Sequence, residues 1–219
     1  MQRVTIPAIE AIDFDAMEAR AKSRRESAPR ERRRAERRWL LDAGVHGVHL
    51  EPDAQKIPDA VRRWAVGRFW GGLLLAGPVG TGKSAAAAWC VQQLYRAGQW
   101  EPGEDYPVEW QPGGSAKVVQ TIDVIQGALS FDARPPRYGQ RVLVLEDWQP
   151  SYPASLSRGV DALCALVDRR WGGKERYATV ITTNARPQEF AQRFAQVYSR
   201  MTDRRGPGLV VVGGEDRRA

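Results

Sequence analysis

From Gly72 onward the chain alternates short apolar runs with segments of helical composition. GLLLAG, beginning at Gly72, is a continuous apolar run of strand length, and KVVQT, RVLVLED, YATVITTN and LVVVG carry the same signature further on. Such uninterrupted runs are what a strand covered on both faces requires. Between them, Ser84–Ala97 (SAAAAWCVQQLYRA) is Ala-rich and stops at Gly98. VIQGALSF follows Asp123, which reads as its N-cap. Ser157–Trp171 sets Val160, Leu163, Cys164, Leu166 and Val167 on one side, and residues 187–202 read as one helix with Pro187 at its start. Residues 99–116, with three Pro and three Gly, and ARPPRYGQ read as loops. Strands alternating with helices imply a three-layer αβα core around a parallel five-stranded sheet.

Upstream the pattern changes twice. Residues 39–71 form a connecting region with turns at Gly44, Gly47, Pro52 and Pro58 and a helical stretch from about Asp59. Residues 1–38 form an arm, with a small apolar cluster (Ile6, Ile9, Ile12, Phe14, Met17) ahead of a polar tract. From Glu18 to Arg38 nothing is more hydrophobic than Ala, so the tract has no face to bury. It is a lone polar helix or a flexible arm, and Pro29 would interrupt a single continuous helix. The alternating strand–helix domain then occupies residues 72–219.

Charge sharpens this division. The net charge is +7, and residues 20–38 alone hold ten basic and three acidic side chains, so the remainder sums to zero. A neutral body with a basic arm points to a phosphate backbone or an acidic protein as the arm's partner. Arg32, Arg33, Arg34, Arg37 and Arg38 are the candidates for binding single-stranded DNA. Trp39 and Trp148 are possible base-stacking residues, although core burial is the commoner fate of Trp. Cys90 and Cys164 sit among apolar residues and read as core hydrophobes, and His46 and His49 have no ligand cluster around them. No apolar run approaches the roughly 18 residues of a membrane span, so the expected location is cytoplasmic, with no membrane partner.

The chemistry is concentrated after the first strand. Gly77-Pro78-Val79-Gly80-Thr81-Gly82-Lys83-Ser84 fits G-x-x-x-x-G-K-[ST] at every fixed position, between a strand and a helix. The glycines let successive N–H groups turn inward into an anion nest at a helix N-terminus. Lys83 reaches the β and γ phosphates, and the Ser84 hydroxyl is placed for Mg2+. Glu146 and Asp147 end the third strand, 63 residues after Lys83. One strand-end carboxylate, Glu146, is expected in the Mg2+ shell, and Asp147 is expected to orient the attacking water. Asn184 ends the fourth strand, where an amide can hold the water or the γ-phosphate. Arg200 and Arg218 lie before and after the last strand, and a guanidinium at a neighbour's γ-phosphate stabilises transition-state charge.

Taken in order, LLDAGVHGVHL, GPVGTGKS, DVIQGAL, VLVLED, LVDRRWGGKERYATVITTNARPQEF, VYSRMTDRR and GGEDRR resemble the DnaC-like helicase loaders and the related IstB-type transposition ATPases. The resemblance runs from about Trp39 to the C-terminus. It implies an AAA+ core of the P-loop NTPase class, with strand order 5-1-4-3-2, using ATP and Mg2+. On this match Asn184 looks like sensor 1, Arg200 like an arginine finger acting in trans, and Arg218 like the sensor-2 arginine. It further implies self-association into a ring or spiral, assembly on single-stranded DNA, and a replicative helicase or a transposase as partner. The family pattern places Asp before Glu, whereas Glu146 precedes Asp147 here, so slow hydrolysis is expected. A nucleotide-gated binding protein with negligible hydrolysis is the alternative from another class. A kinase reading lacks the Arg-rich lid that such enzymes carry between these strands.

Neutralising Arg32, Arg33, Arg34, Arg37 and Arg38 together should lower single-stranded DNA affinity and flatten the slope of log affinity against log salt. A binding titration at several salt concentrations reads both, and an unchanged slope assigns the cluster to a protein partner.

Overall fold

The structure, a computed structural model, describes residues 29–67, 71–97, 116–129, 140–172, 177–203 and 207–213. The apolar cluster of residues 6–17, most of the loop at 99–116, ARPPRYGQ up to residue 139, and GGEDRR from Gly214 with Arg218 lie outside the described residues. The chain divides into two units, Met1–Arg37 and Arg38–Ala219. Residues 29–42 are helical (α1), with Pro29 the first described residue, so whether Pro29 interrupts a longer helix lies outside the described residues. On it Arg32, Arg33, Arg34, Arg37 and Arg38 are exposed.

The second unit holds five parallel strands: β1 (Gly71–Ala76), β2 (Ala116–Gln120), β3 (Val142–Glu146), β4 (Ala178–Thr183) and β5 (Gly208–Val211). Their order across the sheet is β2-β3-β4-β1-β5, as expected. The helices are α2 (Asp59–Gly67), α3 (Lys83–Ala97), α4 (Thr121–Leu129), α5 (Ser157–Gly172), α6 (Pro187–Arg193) and α7 (Ala195–Met201). None of the described helices is long and apolar enough to cross a membrane.

Successive strand residues point to opposite faces, and both faces are covered. Leu73 and Leu75 pack with Trp89, Cys90 and Leu94 of α3, while Leu74 packs with α4, α5 and the Phe190–Phe194 region. Residues from the region before β1 contribute to the first of these cores. Trp39, Leu40, Val45, Leu50, Ile57 and Val61 are buried in it. Trp39 and Trp148 are only 5% and 0% exposed, which removes both as base-stacking platforms. At the sheet edge the Val118 N–H donates to Ala43 O at 2.6 Å. The following Gly44 has φ 95°, and a Cβ there would lie 2.5 Å from Val118 O.

Two local expectations are corrected. Residues 187–202 form two helices rather than one, broken at Phe194 (φ −129°, ψ 52°). The break turns Phe194 inward, with ring centroids 5.3 Å from Trp148 and 5.2 Å from Phe190. It costs little backbone bonding, because Phe194 N still donates to Phe190 O and Tyr198 N to Phe194 O, both at 2.8 Å. Helix α4 starts at Thr121 with no loop after β2, leaving Asp123 inside its first turn rather than at the cap. Thr121 instead donates its hydroxyl to Glu146 O at 2.5 Å, tying the helix start to the neighbouring strand.

Helices α4 and α5 meet at Gly159, where a Cβ would lie 2.4 Å from Ile125 O. Gly159→Val should therefore lower unfolding free energy by about 1–3 kcal/mol, the usual range for overpacking, read as a reduced denaturant midpoint at unchanged m-value.

Candidate nucleotide site

The site forms at the C-terminal ends of β1, β3 and β4. After β1 the chain enters residues 77–82 with Gly80 at φ 81° and Gly82 at φ 97°, left-handed backbone that glycine adopts without steric cost. A Cβ at Gly77 would fall 2.1 Å from Val212 O, so this position too admits only glycine. Gly77 N donates to Thr183 O at 3.2 Å, anchoring the loop to β4, and the Thr81 hydroxyl donates to Pro78 O at 2.9 Å. Ala86 N reaches Gly82 O at 2.9 Å, so the helix starts directly from the loop. Lys83 is 8% exposed, and its Nζ donates to Gly77 O at 2.9 Å and Pro78 O at 2.6 Å. The ammonium thus lies folded over the loop, where an incoming anion can exchange for the carbonyls.

Glu146 is the last residue of β3, and its Oε2 accepts from Gln120 Nε2 at 3.1 Å. Asp147 has φ 55°, the only left-handed non-glycine residue among those described. That backbone is held by β4: Asp147 N donates to Thr182 Oγ1 at 3.0 Å, and Trp148 N to Thr182 O at 2.8 Å. The effect is to aim the Asp147 carboxylate along the strand ends. Its Oδ1 accepts from Asn184 Nδ2 at 2.8 Å and from the Gln149 side-chain amide. Tyr152 braces the same loop by accepting from Gln149 N at 3.1 Å, and burial raises its phenol above the usual range.

These groups face a cavity of about 490 Å³, a size that suits a small-molecule ligand. Val79, Gly80, Gly82, Lys83, Ser84, Glu146, Asp147 and Asn184 line it together. Gly77, Pro78 and Thr81 do not line it; they form the loop's supporting frame. Arg200 is also absent from the lining, being bound to Asp168 at 3.0 Å. Arg32, Arg33, Arg34, Arg37 and Arg38 lie on α1, outside the lining.

Other lining residues carry no motif. Val48, His49, Glu51, Pro52, Asp53, Lys56 and Ile57, from two short 3-10 turns at Gly47–Leu50 and Ala54–Lys56 and the residues beside them, form one wall. Gln120 and Thr182 complete the other. Gln120 was inferable in principle, since it is the last residue of β2 and pairs in register with Glu146.

No family model and no curated protein matches the chain. Among solved structures, it is similar to the crystal structure of DnaI, at 16% identity over 80% of this chain and 92% of that one, with a TM-score of 0.52. The fold is that of the AAA+ P-loop ATPases. A second similar structure is the AMPPCP-bound DnaA from Aquifex aeolicus, at 12% identity over 76% of this chain and 53% of that one, with a TM-score of 0.46.

Thr182→Val should remove the acceptor of Asp147 N, leaving that group without its partner at a cost of about 1–3 kcal/mol. Chemical denaturation should show that loss for Thr182→Val and almost none for Thr182→Ser, which keeps the hydroxyl.

Proposed function

We propose that this chain is an ATP-binding, slowly hydrolysing ATPase of the DnaC-like loader type, acting in DNA replication on single-stranded DNA. The observation that carries the reading is the convergence of the Gly80–Ser84 cradle, the Glu146–Asp147 pair and Asn184 on one cavity. The overlap with DnaI across 80% of the chain supports the loader assignment.

The residues present fit Mg-ATP. Left-handed Gly80 and Gly82 clear space beside the N-terminus of a 15-residue helix, where N–H groups and the helix dipole favour phosphate. Val48, Pro52, Ile57 and Val79 give the cavity apolar lining that a base could contact. Lys83 would exchange its two carbonyl partners for phosphate oxygens, while Ser84 and Glu146 would hold the metal. Bound Mg2+ supplies charge neutralisation of the phosphate oxygens. Asp147, its Oδ1 held by Asn184, keeps its second oxygen for an attacking water. Arg200 would complete the site of a second copy, which makes turnover depend on assembly into a ring or spiral. A replicative helicase, or a transposase in the IstB-like alternative, is the proposed protein partner, and co-purification separates the two. The exposed arginines of α1 would meet the DNA backbone.

A nucleotide-gated protein with negligible hydrolysis is favoured by one specific feature. Asp147 is a methylene shorter than the family's Glu, and two amides already occupy its Oδ1.

Purified protein should bind a fluorescent ATP analogue with Mg2+ and turn ATP over slowly, faster with single-stranded DNA. Lys83→Ala should abolish both. Binding without turnover selects the gated alternative, and binding that survives Lys83→Ala rejects the site.

A further inference from the structure

Arg200 sits in a purpose-built bracket. Its Nε donates to Asp168 Oδ1 at 3.0 Å, and its guanidinium carbon lies 4.1 Å from the Trp171 ring centroid. Both partners come from the last two turns of α5, one turn apart, and therefore share a helix face. Among the described residues the bond is made through Nε alone. A guanidinium gripped by a carboxylate at both of its edges would be spent, whereas one held at Nε keeps its two terminal nitrogens as a fork for another anion. The side chains of Arg200 and Asp168 are 32% and 42% exposed, so the bracket opens to solvent rather than into the core. The backbone beneath is equally constrained. A Cβ on Gly72 of β1 would lie 2.6 Å from Met201 Cα and 3.1 Å from Arg200 O, so α7 rests directly on the strand that leads to the phosphate loop.

We infer that Asp168 and Trp171 are positioning residues that present the Arg200 fork to the nucleotide phosphates of a second copy of this chain. This rests on the ATPase reading above and adds to it the two side chains that aim the guanidinium. Stacking on a ring and one charged bond remove most of the rotamer freedom that a free Arg would lose on docking. The neighbouring helix residue Arg170 has a separate task. It is buried, donates to Thr179 Oγ1, Ala178 O and Gln140 O, and ties α5 to the sheet, so the α5 end cannot drift. Burial lowers Arg170 to about 10, which leaves it charged at neutral pH.

The test is steady-state ATP hydrolysis by the full chain with single-stranded DNA. Wild type is compared with Arg200→Ala, Asp168→Asn, Trp171→Leu, Trp171→Phe and the Asp168→Asn/Arg200→Ala pair. Each is assayed alone and mixed with excess Lys83→Ala chains, which keep Arg200 but cannot hold nucleotide. Asp168→Asn and Trp171→Leu should lower kcat by about ten- to a hundred-fold, the scale of a small misplacement, with KM for ATP nearly unchanged. Trp171→Phe should retain most of the rate, and the double variant should be no slower than Arg200→Ala. Lys83→Ala chains should restore turnover to all the slow variants. Faster turnover by Asp168→Asn would mean that the bracket parks the arginine instead of presenting it, which overturns the inference. So would a wild-type rate, or losses that multiply in the double variant. If Asp168→Asn does not fold, the two Trp171 variants decide the matter, and equal rates for them overturn it. Arg200→Ala that turns over normally, or that Lys83→Ala chains cannot rescue, rejects the trans reading itself, and the bracket with it.

Discussion

The arrangement depends on the placement of β4 between β1 and β3. All six residues of β4 are buried, and its parallel register with both neighbours fixes how far each strand runs. Because the three strands point the same way, the phosphate loop, the acidic pair and Asn184 emerge at one end of the sheet. The same strand does more than align them. Thr183 O holds Gly77 N, and Thr182 holds the backbone of Asp147 and Trp148 through its side chain and carbonyl. Loop and acids are therefore bonded to one rigid element and have a common reference.

The left-handed backbone of Asp147 shows how such a reference is used. A non-glycine residue at φ 55° is intrinsically unfavourable and persists only where its surroundings over-determine it. Here they do: two backbone bonds to Thr182 on one side and a buried Trp148 on the other. Trp148 is packed edge-on against Phe190 and Phe194, so the aromatic cluster that breaks the 187–202 helix also seats the acid.

Much of this was legible in the sequence, and the limits have physical causes. The five strands were readable because burial on both faces demands continuous apolar runs, and the phosphate loop because its function is carried by contiguous residues. The break at Phe194 was not readable. Phe190 and Phe194 are four apart, which fits a continuous helix as well as a bent one, and only the distant Trp148 decides between them. The cavity wall from Val48 to Ile57 carries no periodicity, and it joins the site only through burial of Leu50 and Ile57 in the core. The Asp123 cap failed because Thr121 had a better partner in Glu146 O, on a strand distant in sequence. Local propensity cannot anticipate a bond whose acceptor arrives through sheet order.

The junction of Ala43 and Gly44 with Val118 has a consequence for handling the protein. Among the described strands β2 stands at the border of the sheet, and the outward amides of a border strand can recruit foreign strands. The turn after α1 occupies one of those amides and shields the approach to it. A shortened chain begun at β1, chosen to isolate the ATPase fold, would strip off that shield together with Trp39, Leu40 and Val45. It would be expected to clump in solution for reasons unrelated to nucleotide.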